Sequence, residues 1–174
     1  MRGLAELWMR WAIPPARSSI RDVIIQHLIS EACRRELTSV LKYENSGETD
    51  ELIVPKTKVI FFKERDGSVP FLDWLDDLPS KAQLKCVAKI ERLAQEGHEL
   101  RRPEADLLGE KIYELRASYQ SVHYRILYFF HGNVAAIVSH GIVKESRVPS
   151  VEVARAAERR RKFELNPKAH THEE

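Results

Sequence analysis

The sequence is poor in the features that define several specialised protein classes. Its only two cysteines, Cys33 and Cys86, lie far apart and match no metal-ligand spacing, so we expect two free thiols. No run approaches the roughly 20 apolar residues that a membrane helix needs. The apolar stretch near the start contains Glu6 and Arg10, which a secretory signal would lack. These absences predict a cytoplasmic protein with no membrane partner.

The chain also lacks a strong net charge, which is only +2 at neutral pH. Residues 1–55 hold seven basic against eight acidic side chains, whereas residues 110–165 hold ten basic against six acidic. The basic excess therefore gathers where strands and a last helix are predicted. This distribution is compatible with a phosphate-bearing partner, although the total charge alone would not suggest one.

A length of 174 residues suits one ordinary domain with an appended segment. Residues 18–42 have the apolar spacing of an amphipathic helix, and residues 45–51 are polar and typical of a linker. We therefore expect a helical extension with its linker in residues 1–55, the main domain in residues 56–165 and a disordered tail in residues 166–174.

The extension has two interpretations. The first is a misplaced translation start, with initiation near Val54 or Val59 at a non-AUG codon, because Met1 and Met9 are the only methionines. The second is a genuine helix that docks on the domain, dimerises or covers the sheet. The first is slightly favoured, and limited proteolysis of the full-length protein would separate the two.

The first part of the main domain mixes strand and helix signals. Residues 57–62 (TKVIFF) are typical of a strand, and Pro70 suits the first turn of a short helix. Ser80 and Gln83 fit a capping box that opens a second helix, which Gly97 would end.

From Lys111 onward the pattern alternates between apolar and polar residues. KIYELR, VHYRILYFF and VAAIVSHGIV predict an antiparallel meander of three strands, and Ser150 opens a final helix. The fold class is therefore α+β. We expect an antiparallel sheet of about four strands, with two helices before the meander and a C-terminal helix packed together on one face.

Side chains two apart on a strand share a face, so the meander predicts two different surfaces. The helix-covered face should carry Tyr113, Leu115, Tyr124, Ile126, Tyr128 and Phe130. The other face should carry Glu114, Arg116, His123 and Arg125. With Lys144 at the end of the last strand, up to three cations would surround one groove. Because guanidinium groups grip phosphate oxygens in pairs, the groove predicts a polyanion, most simply RNA.

The same residues suit RNA cleavage by attack of a 2′-hydroxyl on the adjacent phosphorus. That reaction needs a proton acceptor, a proton donor for the leaving oxygen and fixed positive charge. The candidates for proton transfer are Lys144, His123, His140 and Tyr124. Arg116 and Arg125 would stabilise the developing charge. This scheme uses no metal and no cofactor.

Several segments resemble one family in order and spacing. LLGEKIYELR (107–116), VHYRILYFF (122–130) and VSHGIVKESRVPSVEVARAAERRRKFE (138–164) resemble the phage-derived, HigB-like branch of the RelE/ParE toxin superfamily. VIFFKERDGSVPFLDWLDDLP (59–79) is similar to that family's opening segment. The resemblance implies a RelE/ParE-like fold and the toxin of a bacterial type II toxin–antitoxin pair. Such a toxin cuts mRNA on the ribosome without a metal, is neutralised by a small antitoxin, and meets operator DNA only through the toxin–antitoxin complex.

The motifs that carry the resemblance also imply site residues. The E-L-R motif corresponds to Arg116, the Y-R motif to Tyr124 and Arg125, and the H-G-x-V-K motif to His140 and Lys144. The implied catalytic set is Arg116, Arg125 and Lys144. The candidate nucleic-acid-binding set combines Tyr124 and His140 from these motifs with Lys111, His123 and Arg147.

The sequence departs from the family pattern at two positions. Ile142 stands where phenylalanine is common, and Glu145 stands where a second basic residue is common, with Arg147 able to restore part of the charge. Two alternatives therefore stay open. One is a degenerate toxin that only binds antitoxin or nucleic acid, and the other is a ParE-like inhibitor of gyrase.

Overall fold

A computed structural model describes residues 57–143 and 147–172 and shows one mixed β-sheet with helices on both faces. The strands are β1 (Lys58–Phe61), β2 (Ala105–Gly109), β3 (Ile112–Tyr119), β4 (Val122–His131) and β5 (Ala135–Val143). The helices are α1 (Pro70–Asp76), α2 (Ser80–Glu96), α3 (Ser150–Leu165) and α4 (Pro167–His170), with a 3₁₀ turn at Gly97–Glu99.

The strands lie in the order β1-β5-β4-β3-β2. The predicted α+β class is confirmed, but the prediction of about four antiparallel strands is wrong in two respects. β2 adds a fifth strand beside β3, and β1 pairs in parallel with β5. A parallel pair needs a long connection, and here the helices and the intervening strands supply it. The predictions for residues 1–55 lie outside the described residues.

The two helices before the meander begin and end for local reasons. The predicted capping box between Ser80 and Gln83 does not form, because Pro79 occupies the N-cap and the Gln83 side chain donates from Nε2 to the Leu75 carbonyl at 3.0 Å. Gly97 ends α2 as predicted, with a φ of 55° that glycine adopts easily. Within the described ranges, the structure contains no helix with the length and apolar character that a bilayer crossing requires.

The face covered by α1 and α2 is the predicted one. Tyr124 is buried there, with its ring 6.3 Å from that of Trp74 between centroids. Gly141 permits this packing, since an added Cβ would lie 2.0 Å from the Trp74 ring. The register of β3 on β4 puts Leu115, Ile126 and the tyrosines of the two strands on this face and the arginines on the other.

Helix α3 covers half of the opposite face, so the prediction that all helices pack on one face is wrong. The buried cluster between sheet and helix consists of Phe62, Ile112, Leu127, Phe129, Ala135, Ile137, Val148, Ala156, Ala157 and Phe163. The residues of β4 on this face thus change along the strand from His123 and Arg125 to Leu127 and Phe129. The uncovered half of this face lies where β3 and β4 carry Arg116 and Arg125.

The segment after α3 packs against β1 and is not the predicted disordered tail, at least through residue 172. His170 is buried, stacks on Phe62 at 4.9 Å between ring centroids and donates from Nδ1 to the Lys63 carbonyl at 2.8 Å. Thr171 then forms an isolated bridge with Phe62. An apolar ring contact and backbone pairing therefore hold residues that composition alone suggested would fray.

Candidate nucleic-acid interface

Arg116 and Arg125 lie directly opposite each other on the antiparallel strands β3 and β4. Directly opposite residues have Cβ atoms about 4.5–5.5 Å apart, so the two side chains emerge side by side. Their side chains are 33% and 15% exposed. Like charges at opposed positions repel, and this pair therefore needs a counter-charge.

Glu114 supplies that counter-charge. It precedes Arg116 by two positions and so shares its face, and its side chain is only 5% exposed. Its Oε1 accepts from Arg116 Nε at 2.8 Å, and its Oε2 lies 3.2 Å from Arg125 Nε. One nearly buried carboxylate thus bridges both arginines and fixes their spacing.

A second carboxylate extends the row toward the sheet edge. Asp106 on β2 pairs in register with Glu114 on β3. Its Oδ2 lies 3.1 Å from Arg116 Nη2 and 2.6 Å from Arg102 Nη2. We call the resulting row, Arg102–Asp106–Arg116–Glu114–Arg125, the arginine–carboxylate chain.

The arginine–carboxylate chain lines an open cleft of about 480 Å³. The cleft is lined by Arg102, Asp106, Leu107, Leu108, Glu114, Arg116, Arg125, Arg147 and Val148. Four guanidinium groups against two carboxylates leave a formal excess of two positive charges, and we call the site the basic cleft. Such a surface attracts anions. Among the described residues, no three or more His, Cys, Asp or Glu side chains come together as metal ligands would.

The charge state of the cleft follows from its contacts. The hydrogen bond from Arg102, opposed by partial desolvation and reinforced by the charges of Arg102 and Arg116, lowers the pKa of Asp106. The same hydrogen bond raises the pKa of Arg102. Asp106 is therefore ionised at neutral pH, and the cleft combines fixed cations with an accessible internal anion.

Three of the predicted site residues meet in the basic cleft, namely Arg116, Arg125 and Arg147. His123 is half-buried on the same face, two positions before Arg125, but does not line the cleft. Lys111 is exposed in the turn between β2 and β3 and also lies outside the lining. The predictions for Lys144 and Glu145 fall outside the described residues.

Tyr124 and His140 are not brought to the cleft, which corrects the predicted binding set. Tyr124 is buried on the face covered by α1 and α2. His140 is buried beneath α3, where Ser139 Oγ donates to its Nδ1 at 2.9 Å and its Nε2 donates to Glu152 at 3.0 Å. Burial, assisted by the nearby Arg159 charge and opposed by Glu152, lowers the pKa of His140 to about 4. A neutral, buried imidazole at this place holds α3 to β5 and does not contact a surface ligand.

Sequence reasoning missed Arg102 and Asp106 because it missed β2. The turn that joins β2 to β3 uses Glu110 and Lys111, with φ values of 49° and 59°. Two-residue hairpin turns of this conformation usually contain Asn-Gly or a similar pair, so the residue types of Glu110 and Lys111 do not indicate a hairpin. The available signal was Gly109 directly before the turn, at the end of a short run that begins with Ala105.

The fold and the basic cleft together define an α+β domain with a positively charged cleft on one half of a sheet face. The family model described as "Phage derived protein Gp49-like (DUF891)" matches residues 73–162, and the chain therefore belongs to that family. The family is a toxin-like, phage-derived one that is associated with RelE/HigB-like toxins. The matched range includes the whole cleft lining. No curated protein matches the sequence.

Proposed function

We propose that this chain is the toxin of a bacterial type II toxin–antitoxin pair and cuts mRNA on the ribosome without a metal. Membership of the Gp49-like family supports the toxin class. The observation that carries the nuclease proposal is the in-register pair Arg116 and Arg125 in an open basic cleft. We further propose that the chain belongs to the HigB-like group of these toxins and has the RelE/ParE-like fold.

The cleft offers the charge that this chemistry needs. As the 2′-oxygen loses its proton and bonds to phosphorus, the equatorial phosphate oxygens gain negative charge, and the bond to the 5′-oxygen then breaks. Two guanidinium groups held side by side by Glu114 would bind those oxygens in pairs. Because the arginines are already positioned, little reorganisation would accompany the step.

The remaining roles fall to four further residues predicted from the sequence. His123 is half-buried on the same face as Arg125, and with Lys144 it is a candidate for proton transfer. Arg147 lines the cleft and Lys111 is exposed on the β2–β3 turn, and both would bind flanking phosphates. In this proposal a cognate antitoxin neutralises the toxin, and operator DNA is reached only through the complex of the two.

The test is induction of the full-length chain without antitoxin in a bacterial host, followed by mapping of new mRNA 5′ ends. Growth arrest with new ends inside translated frames is the expected result, and Arg125→Ala should abolish both. Arg65→Ala is the matched control, because Arg65 is an exposed arginine in the loop after β1, at the other edge of the sheet. New ends that persist in Arg125→Ala at equal expression would remove the central role of the cleft.

A second candidate function is a binding module without catalysis. It is favoured by one observation: Arg116 and Arg125 are already paired with carboxylates of their own chain. Normal growth and an unchanged transcript map with folded protein present would support this alternative. Gyrase inhibition, the other alternative, is separated by a DNA supercoiling assay with gyrase and the purified chain.

A further inference from the structure

Asp106 occupies a position that an external anion would fit. Its carboxylate lies between two guanidinium groups, 2.6 Å from that of Arg102 and 3.1 Å from that of Arg116. The Arg102 side chain is 75% exposed and the Asp106 side chain is 19% exposed. The geometry therefore shows a two-arginine anion subsite that the chain fills with its own side chain.

We propose that Arg102 and Arg116 form a phosphate subsite for single-stranded nucleic acid and that Asp106 is an internal competitor for it. A backbone phosphate would displace the Asp106 carboxylate from Arg102 when the strand enters the basic cleft. This inference deepens the proposed function and rests on RNA as the ligand. It adds Arg102 as a binding residue and Asp106 as a residue that limits affinity.

The two carboxylates of the arginine–carboxylate chain differ in how easily they can be displaced. Glu114 is nearly buried and holds two arginines, so its removal would leave charges without a partner in a poorly hydrated site. The Asp106 side chain is 19% exposed, but its partner Arg102 is 75% exposed, so solvent screens their contact and it contributes little. The exchange with phosphate therefore occurs at Asp106, and Glu114 keeps the remaining arginines in place.

The arrangement of the cations favours a nucleic-acid strand over an acidic protein segment. Arg125 lies on β4 and Arg116 on β3, and Arg102, in the turn before β2, reaches this row by pairing with Asp106 on β2. Neighbouring strands are about 4.8 Å apart, so the row from Arg125 on β4 to Asp106 on β2 crosses two strand spacings, about 10 Å, which is more than one phosphate can cover. A backbone with regularly repeated charges can engage the whole row. Proteins that bind single strands use such grooves of positive charge.

The test measures binding of a fluorescent 2′-O-methyl RNA of roughly 12 nucleotides to the purified full-length chain by anisotropy. The methyl group blocks the attacking oxygen, so binding is measured without cleavage. Asp106→Asn should tighten binding by about threefold to tenfold at low salt, as one more free ionic contact would. The plot of log affinity against log salt should steepen by up to about 0.7, the value for one phosphate of a single strand.

A double-mutant comparison isolates the subsite. In the native background, Arg102→Ala should weaken RNA binding little, because Asp106 already occupies Arg102. In the Asp106→Asn background, Arg102→Ala should abolish the tighter RNA binding that Asp106→Asn produces. Asp77→Asn is the matched control, since it removes the same charge from an exposed position at the end of α1. Its affinity should stay within about twofold of the native value, because long-range effects of exposed charges are screened. Asp106→Ser provides a second variant if Asp106→Asn is poorly folded by circular dichroism.

Three outcomes would overturn the inference. One is unchanged or weaker RNA binding in folded Asp106→Asn and Asp106→Ser, and another is an Arg102→Ala effect of equal size in both backgrounds. The third is tightening for a polyglutamate peptide but not for the RNA, which would assign the subsite to an acidic protein partner. The result is separable from the proposed function. Tighter RNA binding by Asp106→Asn, together with no mRNA cleavage in cells, would support the subsite and contradict the nuclease function. Cleavage in cells with no effect of Asp106→Asn on RNA binding would support the nuclease function and contradict the subsite.

Discussion

The structure makes its most specific prediction for the loss of stability when Glu114 is replaced. This carboxylate is nearly buried and contacts Arg116 at 2.6 Å and Arg125 at 3.2 Å. Removing one member of a buried ion pair costs about 3–5 kcal/mol, and a hydrogen bond to a charged group contributes about 1.5–3 kcal/mol. Arg116 is a third exposed, so solvent screens its share. We expect Glu114→Gln, which keeps one carbonyl oxygen, to lower the free energy of unfolding by about 2 kcal/mol.

Urea unfolding followed by far-UV circular dichroism measures this loss. For a slope of about 1.5 kcal/mol per molar urea, the midpoint should fall by about 1.3 M. Glu158→Gln is the control, because Glu158 is an exposed carboxylate that pairs with Lys162 one helical turn away at 3.1 Å. It should change the free energy by no more than about 0.5 kcal/mol. Equal stability of Glu114→Gln and the native chain would refute the argument that this carboxylate is required as a counter-charge.

Three further predictions concern buried groups around the sheet. His140 has its pKa lowered to about 4 by burial, so between pH 6.5 and 4 the unfolded chain binds a proton that the folded chain does not. The free energy of unfolding should therefore fall with decreasing pH across this window, at a slope approaching about 1.4 kcal/mol per pH unit. In His140→Gln, the free energy of unfolding measured in urea should depend less steeply on pH over the same window. Gly141→Ala should lower stability by about 1–3 kcal/mol and lower Tm, because its new Cβ would meet Trp74; an unchanged Tm would contradict this packing. Burial raises the pKa of Cys86 to about 12, so its thiol should not react with iodoacetamide at pH 8 until urea unfolds the chain. Mass spectrometry measures the alkylation, and rapid labelling of the folded chain would argue against the burial of Cys86.

The parts of the fold that depend on local periodicity were predictable from the sequence. Alternation in β3 and β4 was enough to place Arg116 and Arg125 on one face, since side-chain direction repeats every two residues whatever the partner strand. The C-terminal helix was also predictable from a local signal, because Ser150 directly after Pro149 is typical of a helix start. The central pair of the candidate site thus required only neighbouring strands.

The parts that depend on distant contacts were not predictable. The parallel pairing of β1 with β5 joins Phe61 to Val138, and nothing in either segment specifies the other. The arrangement of α3 over half of the arginine face follows from the change to Leu127 and Phe129 along β4, whose consequence appears only once α3 supplies Phe163. The contribution of β2 to the cleft was hidden by its turn.

The most direct test of the central claim is a reconstituted translation reaction with one defined mRNA, with and without ribosomes, to which purified full-length chain or its Arg125→Ala variant is added. Primer extension reports the position of each cut. We expect cuts inside the reading frame that require ribosomes and appear with the native chain. They should be absent with folded Arg125→Ala. An intact mRNA with the folded native chain, or the same cuts with Arg125→Ala, would contradict this expectation.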